Sequence, residues 1–233
     1  MLMAAHFLAL GVAGIIFIWM MFLHRRAKRL EKAATQAPRP RAFPQLRPQR
    51  PVTWVAIRSV NPDMVQTALG LSQSVPCSWS EGMAGGHEFF ISPRVNGWVI
   101  VTGLALPSPD DDVDACFLFL TSLSRKLGHV QYFHAEKFTH HHAWARVDDG
   151  CVTRAYAWTG ETVWNQGTKT LPESRIALKC FNYGDSGATR EIAEMNFEKI
   201  GALAGRWSVD PEAIDEHLLD QAGGTAGELS QLY

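Results

Sequence analysis

The sequence predicts an α+β domain with a mainly antiparallel sheet and packed helices, preceded by one N-terminal transmembrane helix. Three observations carry this. Leu2–Leu23 is an apolar run without Lys, Arg, Asp or Glu. Asn96-Gly97 and Asp149-Gly150 each stand between apolar runs, a strong hairpin signal because both turn positions tolerate positive φ. Helix-opening pairs such as Asn61-Pro62 and Ser108-Pro109 are set between such strands, and Thr189 and Asp210-Pro211 follow them. Strands clustered in hairpins with helices beside them read as α+β.

The elements follow in order. At roughly 1.5 Å per residue, Leu2–Leu23 makes about 33 Å of helix and matches a hydrocarbon core of about 30 Å. A cleaved signal peptide needs a basic start, a short apolar core and a small-residue cleavage site. Here the start is uncharged and His24-Arg25-Arg26 follows the run directly. Residues 1–23 are therefore expected to be an uncleaved, single-pass anchor.

The formal net charge of −1 conceals an asymmetry. Residues 1–50 hold nine Lys/Arg against one acid, Glu31, whereas residues 51–233 hold thirteen basic against twenty-two acidic residues. The positive-inside rule places the basic flank, and the domain behind it, in the cytosol. The anchor's partner is the lipid bilayer, through residues 2–23. Residues 25–50 are expected to meet anionic lipid headgroups, each cation contributing about 1 kcal/mol close to the surface. Residues 24–51 hold Pro38, Pro40, Pro44, Pro48 and Pro51 among Arg and Gln, which suits an extended spacer without a core of its own.

The cytosolic domain is expected over residues 52–222. Thr53–Ser59 reads as a strand. Asn61 caps a helix with Pro62 in its first position, and Met64, Val65, Ala68, Leu69 and Leu71 form its apolar side. Residues 72–86 read as a loop. His87–Ser92 and Trp98–Leu104 form the first hairpin, and the second of these is apolar on both faces. Ser108-Pro109 opens a helix that carries Val113, Cys116, Phe117, Leu120, Leu123 and Leu127 at helical spacing and closes at Gly128. Strands are expected at Val130–Ala135, Ala143–Val147, Val152–Trp158, Thr162–Asn165 and Ile176–Asn182. Two helices close the domain, one from Thr189 through Leu203 and one from Asp210 to about Gln221. The Gly-rich residues 223–233 read as a flexible tail.

Two constellations stand out. Trp144, Arg146, Arg154, Tyr156 and Trp158 alternate along the hairpin around Asp149-Gly150, so all five share one face. Aromatic rings interleaved with guanidinium groups can grip an acidic or planar partner. Secondly, five of the nine histidines fall within residues 129–142. His140 and His142 would project together from a strand, and His134 or Glu136 on the neighbouring strand would complete a three-ligand metal site with an open position.

The acids Asp110, Asp111, Asp112 and Asp114 lack calcium-loop spacing and suit a helix N-terminus. The Gly-rich segment 81–86 lacks the Gly-Lys-Ser/Thr ending of a phosphate loop. Cys77, Cys116, Cys151 and Cys180 are widely spaced and expected to be reduced; a Cys–His pair would be joined by the fold, not by sequence. A domain so acidic is a poor partner for nucleic acid. The leading expectation is a membrane-anchored cytosolic module that binds a protein or small ligand without catalysis and without a cofactor. The alternative is a hydrolase using a divalent transition metal on the His-rich segment 134–142.

Overall fold

A computed structural model describes residues 51–229 apart from 59–60, 186, 188, 216–218 and 220–222. The anchor, and the linker up to residue 50, lie outside the described residues. Among the described residues no helix is long and apolar enough to cross a membrane.

The domain is α+β, built on one nine-stranded sheet. Its strands are β1 (Thr53–Ile57), β2 (Leu71–Cys77), β3 (Phe89–Ile91), β4 (Val99–Thr102), β5 (His129–Ala135), β6 (His142–Asp148), β7 (Cys151–Trp158), β8 (Thr162–Gln166) and β9 (Gly224–Leu229). Their spatial order is β2-β9-β3-β4-β1-β5-β6-β7-β8, and every neighbouring pair is antiparallel. The helices are α1 (Pro62–Leu69), α2 (Trp79–Met83), α3 (Val113–Leu127), α4 (Leu171–Arg175), α5 (Arg190–Glu198) and α6 (Ile200–Trp207).

Both faces of the sheet are covered. On one, Val65 of α1 and Cys116, Leu120 and Leu123 of α3 pack on Val55, Ile57, Val101, Val130 and Tyr132. On the other, Trp79 of α2, Ala193 of α5 and Ile200, Leu203 and Trp207 of α6 pack on Trp54, Phe133, Trp144 and Tyr156. Successive strand residues point to opposite faces, so Trp54 and Val55 enter different cores. This accounts for the doubly apolar character of Val99–Thr102, which sits mid-sheet and is wholly buried.

Local chemistry is as expected at several points. Asn61 accepts the backbone N–H of Asp63, with Pro62 at the helix start. Asn96 and Gly97 have φ of 51° and 86°, and Asp149 and Gly150 have 47° and 82°, the paired positive values of a type I′ hairpin turn. Gly128 follows the last residue of α3 with φ of 80°. The helix expected to open at Ser108-Pro109 starts four residues later instead: Asp112 is the N-cap of α3, its carboxylate accepting from Asp114 N and Ala115 N, and Ser108–Asp111 is a turn before it.

Further expectations differ from the structure. Residues 72–86 are not a loop: they contain most of β2, and α2 behind a capping box formed by Ser78 and Glu81. Pro76 is accommodated because β2 lies at the sheet edge. Ile176–Asn182 is not a strand; the backbone N–H and carbonyl of Lys179 bond to the Asn196 side chain instead of to a ladder. The helix from Thr189 is interrupted at Lys199 (φ −90°, ψ −5°) and continues as α6. Asp210-Pro211 opens with a 3₁₀ turn, Pro211–Ala213; most of the helix expected beyond it, to about Gln221, lies outside the described residues.

The largest difference concerns the flexible tail. Residues 224–229 are β9, paired with β2 on one side and β3 on the other. The glycines that suggested fraying permit this insertion. A Cβ on Gly224 would lie 2.4 Å from Phe90 Cε2 and 2.7 Å from the Ile91 carbonyl oxygen, so only glycine fits there.

Candidate functional site

The β6–β7 register pairs His142 with Trp158, Trp144 with Tyr156 and Arg146 with Arg154. The expected alternation therefore holds, and the five residues share one face. That face is an interior one. Trp144, Tyr156 and Trp158 are buried under the helices that follow β8, so most of the expected binding surface is core.

Arg154 is 2% exposed and fully engaged. Its Nε donates to Glu173 Oε1 at 2.9 Å, and its two terminal nitrogens donate to the carbonyls of Ala155, Gln166 and Gly167, to Asn165 Oδ1 and to Cys180 Sγ. Glu173 is also buried, and accepts from Trp144 Nε1 at 2.8 Å and from Thr170 N at 2.6 Å. The Arg154 side chain thus clamps α4 onto the sheet. Burial pushes the Cys180 thiol up to about 11, the opposing influence of Arg154 being smaller. Cys180 is a protonated structural thiol.

Arg146 differs from its cross-strand neighbour. It is half-buried, its guanidinium carbon lies 5.4 Å from the Trp207 ring centroid, and it has no carboxylate within 4.0 Å among the described residues. Gln131, directly opposite it on β5, donates from Nε2 to the Trp207 carbonyl at 3.1 Å. Gln131 Oε1 and Arg146 Nε are both buried without a hydrogen-bond partner among the described residues. Beyond them toward the strand ends, His129 contacts the Trp98 ring edge-on and pairs with Asp148. Of the five predicted binding residues, Arg146 alone is half-buried, the other four being buried.

The predicted metal ligands do not converge. No group of three His, Cys, Asp or Glu side chains able to hold a metal is found among the described residues. The reason is register. His134 pairs with Ala143, and Ala135 pairs with His142, so His134 and His142 emerge on opposite faces of the sheet. His140 is not in a strand at all; it has φ of 56° and packs against Phe197. Glu136 turns back to accept the N–H of Phe138 within its own loop.

His142 stacks between Trp144 and Trp158, at 5.9 and 5.6 Å between centroids. Its Nδ1–H donates to the His140 carbonyl at 2.8 Å, and its Nε2 accepts from Asn196 Nδ2 at 3.2 Å. Both ring nitrogens are occupied, and burial holds the pKa down at about 4. It is a neutral core histidine.

His134 instead joins residues that the sequence separated. Its Nδ1 lies 2.8 Å from Thr53 Oγ1 and its Nε2 lies 3.5 Å from Asp110 Oδ2. The other carboxylate oxygen of Asp110 is 2.9 Å from His141 Nδ1. Burial pushes the Asp110 carboxyl up, but the facing imidazoles of His134 and His141 outweigh it and hold its pKa below the ordinary value. The sequence reads Asp110 as a helix-terminal acid. Nothing in the spacing announces its meeting with His134, because the turn that carries it is brought over the sheet by α3. Elsewhere, Cys77 Sγ and His87 Nε2 are 3.5 Å apart, a pair supplied by the fold. Burial, and secondarily Glu81, push this thiol up, which opposes thiolate reactivity.

The chain matches no family model, and neither curated proteins nor solved structures provide a match.

Proposed function

We propose that this chain is a single-pass membrane-anchored recognition module. Residues 2–23 lie in the bilayer, residues 25–50 lie near anionic headgroups, and the α+β domain faces the cytosol to bind a protein or small ligand. The charge asymmetry of the sequence supports the tether and its orientation. The observation that supports recognition is Arg146.

A domain that satisfies its other central arginine with a buried carboxylate and five further acceptors leaves this one over Trp207 without a counter-ion among the described residues. A guanidinium laid on an indole keeps its edge free for a carboxylate, and its partial desolvation strengthens that contact. The occupant that fits is a carboxylate-bearing partner. The domain's own negative charge means that it is held by local contact, not by long-range steering.

Titration of the full chain in detergent micelles with a poly-glutamate peptide, followed by tryptophan emission, tests this. Binding is expected to weaken at least about tenfold in Arg146→Gln, equivalent to about 1.4 kcal/mol. Equal binding of a poly-glutamine peptide, or no effect of the substitution, overturns the reading. Arg154 is unsuitable as a companion substitution because it holds the core. A reporter fused after Tyr233 tests orientation, and reporter activity confined to the non-cytosolic side overturns it.

A further inference from the structure

We propose that Thr53 is the nucleophile of an acyl-transfer site, with His134 as its base and Asp110 as the residue that positions the base. This goes beyond recognition, and it concerns the opposite face of the sheet from Arg146.

Thr53 and His134 are direct partners in the β1–β5 ladder, so both side chains emerge on the face covered by α1 and α3. The hydroxyl and Nδ1 are 2.8 Å apart. The imidazole is 2% exposed, and its Nε2 lies 3.5 Å from Asp110 Oδ2 with no closer hydrogen-bond partner among the described residues. A carboxylate only accepts, so it favours the tautomer with the proton on Nε2, and Nδ1 is left to accept the Thr53 hydroxyl. Hydroxyl, imidazole and carboxylate in that order are the arrangement of an activated nucleophile. The ring faces the other way round from the serine-protease triad, but either nitrogen serves as a base. Base-to-carboxylate contacts are often long before substrate binds and shorten in the complex.

The surroundings are consistent with work by this array. Asp110 is 29% exposed and His141 22% exposed, so the carboxylate is held from the solvent side by a second imidazole. Thr53 is half-buried at the start of β1, so its hydroxyl is not sealed in the core.

The step balances without a co-reactant. Thr53 Oγ forms a bond to the acyl carbon of a small carboxylic ester while its proton passes to His134 Nδ1. The bond to the leaving alcohol breaks, and that alkoxide takes the proton. Water then attacks the acyl-threonine, gives one proton to His134, and the carboxylic acid leaves as Oγ recovers that proton.

The probe is p-nitrophenyl acetate with the full chain in detergent micelles. A burst of nitrophenolate equal to the protein concentration is expected, with an acetyl group on the peptide containing Thr53. Thr53→Val should abolish both and Thr53→Ser should keep both. Asp110→Asn should slow the burst by roughly 10²–10⁴-fold with the adduct still on residue 53. No burst above buffer, acetylation confined to cysteine or lysine, or an undiminished burst in Thr53→Val overturns the proposal. Adduct position in the unsubstituted chain decides the matter even if a variant fails to fold.

Discussion

Replacing Glu173 by alanine is expected to be among the most damaging single changes in the domain. The carboxylate accepts from Arg154 Nε, Trp144 Nε1 and Thr170 N at 2.6–2.9 Å, and Arg154 and Glu173 are 2% and 0% exposed. Glu173→Ala leaves the guanidinium buried without its counter-ion, a change that costs about 3–5 kcal/mol. Loss of the capping box at the start of α4 adds about 1 kcal/mol. The sum is a large part of an ordinary native stability of roughly 5–15 kcal/mol. It corresponds to a fall of about 10–20 °C in Tm for a domain of this size. Arg154→Met/Glu173→Leu removes both charges together and should cost less than Glu173→Ala alone, since an apolar pair leaves no uncompensated ion. Chemical denaturation of the full chain in micelles, followed by tryptophan fluorescence, measures both. A loss below about 1 kcal/mol in Glu173→Ala, or a double variant as damaged as the sum of its singles, would refute the clamp.

Three further predictions concern pH, the chain end and the thiols. His142 titrates near 4 when folded and near 6.5 when unfolded. The unfolded chain therefore binds a proton that the folded chain refuses, and stability present above about pH 6.5 is lost as pH falls toward 4, by up to about 3 kcal/mol. His142→Gln should lose less stability than the parent between pH 7 and 4.5, and an equal loss would show that another group dominates. Ending the chain at Gly223 deletes β9 and opens the pairings of β2 and β3 together. Limited proteolysis should then cut within residues 71–91, whereas a cleavage pattern like that of the intact chain would contradict the insertion. Alkylation by iodoacetamide should reach the exposed Cys151 first, with Cys180, held up at about 11 by burial, and the buried Cys77 and Cys116 following slowly. Early labelling of Cys180 on peptide mapping would disprove its packing.

What was legible in the chain is local. Asn61-Pro62, Gly128 and the two type I′ turns act through φ preferences and neighbouring backbone groups, and they stand where expected. The Ser78-to-Glu81 and Thr170-to-Glu173 capping boxes were equally local signals for α2 and α4, and went unread. The tail misled because glycine raises the entropy of a free chain yet also permits the close approach to Phe90 that β9 needs. Only the finished sheet tells those two uses apart.

The candidate sites divide the same way. Alternation correctly placed Trp144, Arg146, Arg154, Tyr156 and Trp158 on one face. Whether that face met water or a layer of helices depended on residues 171–207, far along the chain. His134 and His142 are eight residues apart, an even spacing that would put them on one face of a continuous strand. The intervening loop reversed the chain in a register that set them on opposite faces. The sequence by itself therefore determined the α+β class, the two hairpin turns, which residues of β6 and β7 share a face, and the charge division at residue 50. The tertiary structure alone decided which faces are interior, that Glu173 neutralises Arg154, and that His134 meets both Asp110 and Thr53. Backbone preferences act over a few residues, whereas burial and ion pairing are settled only when distant segments pack.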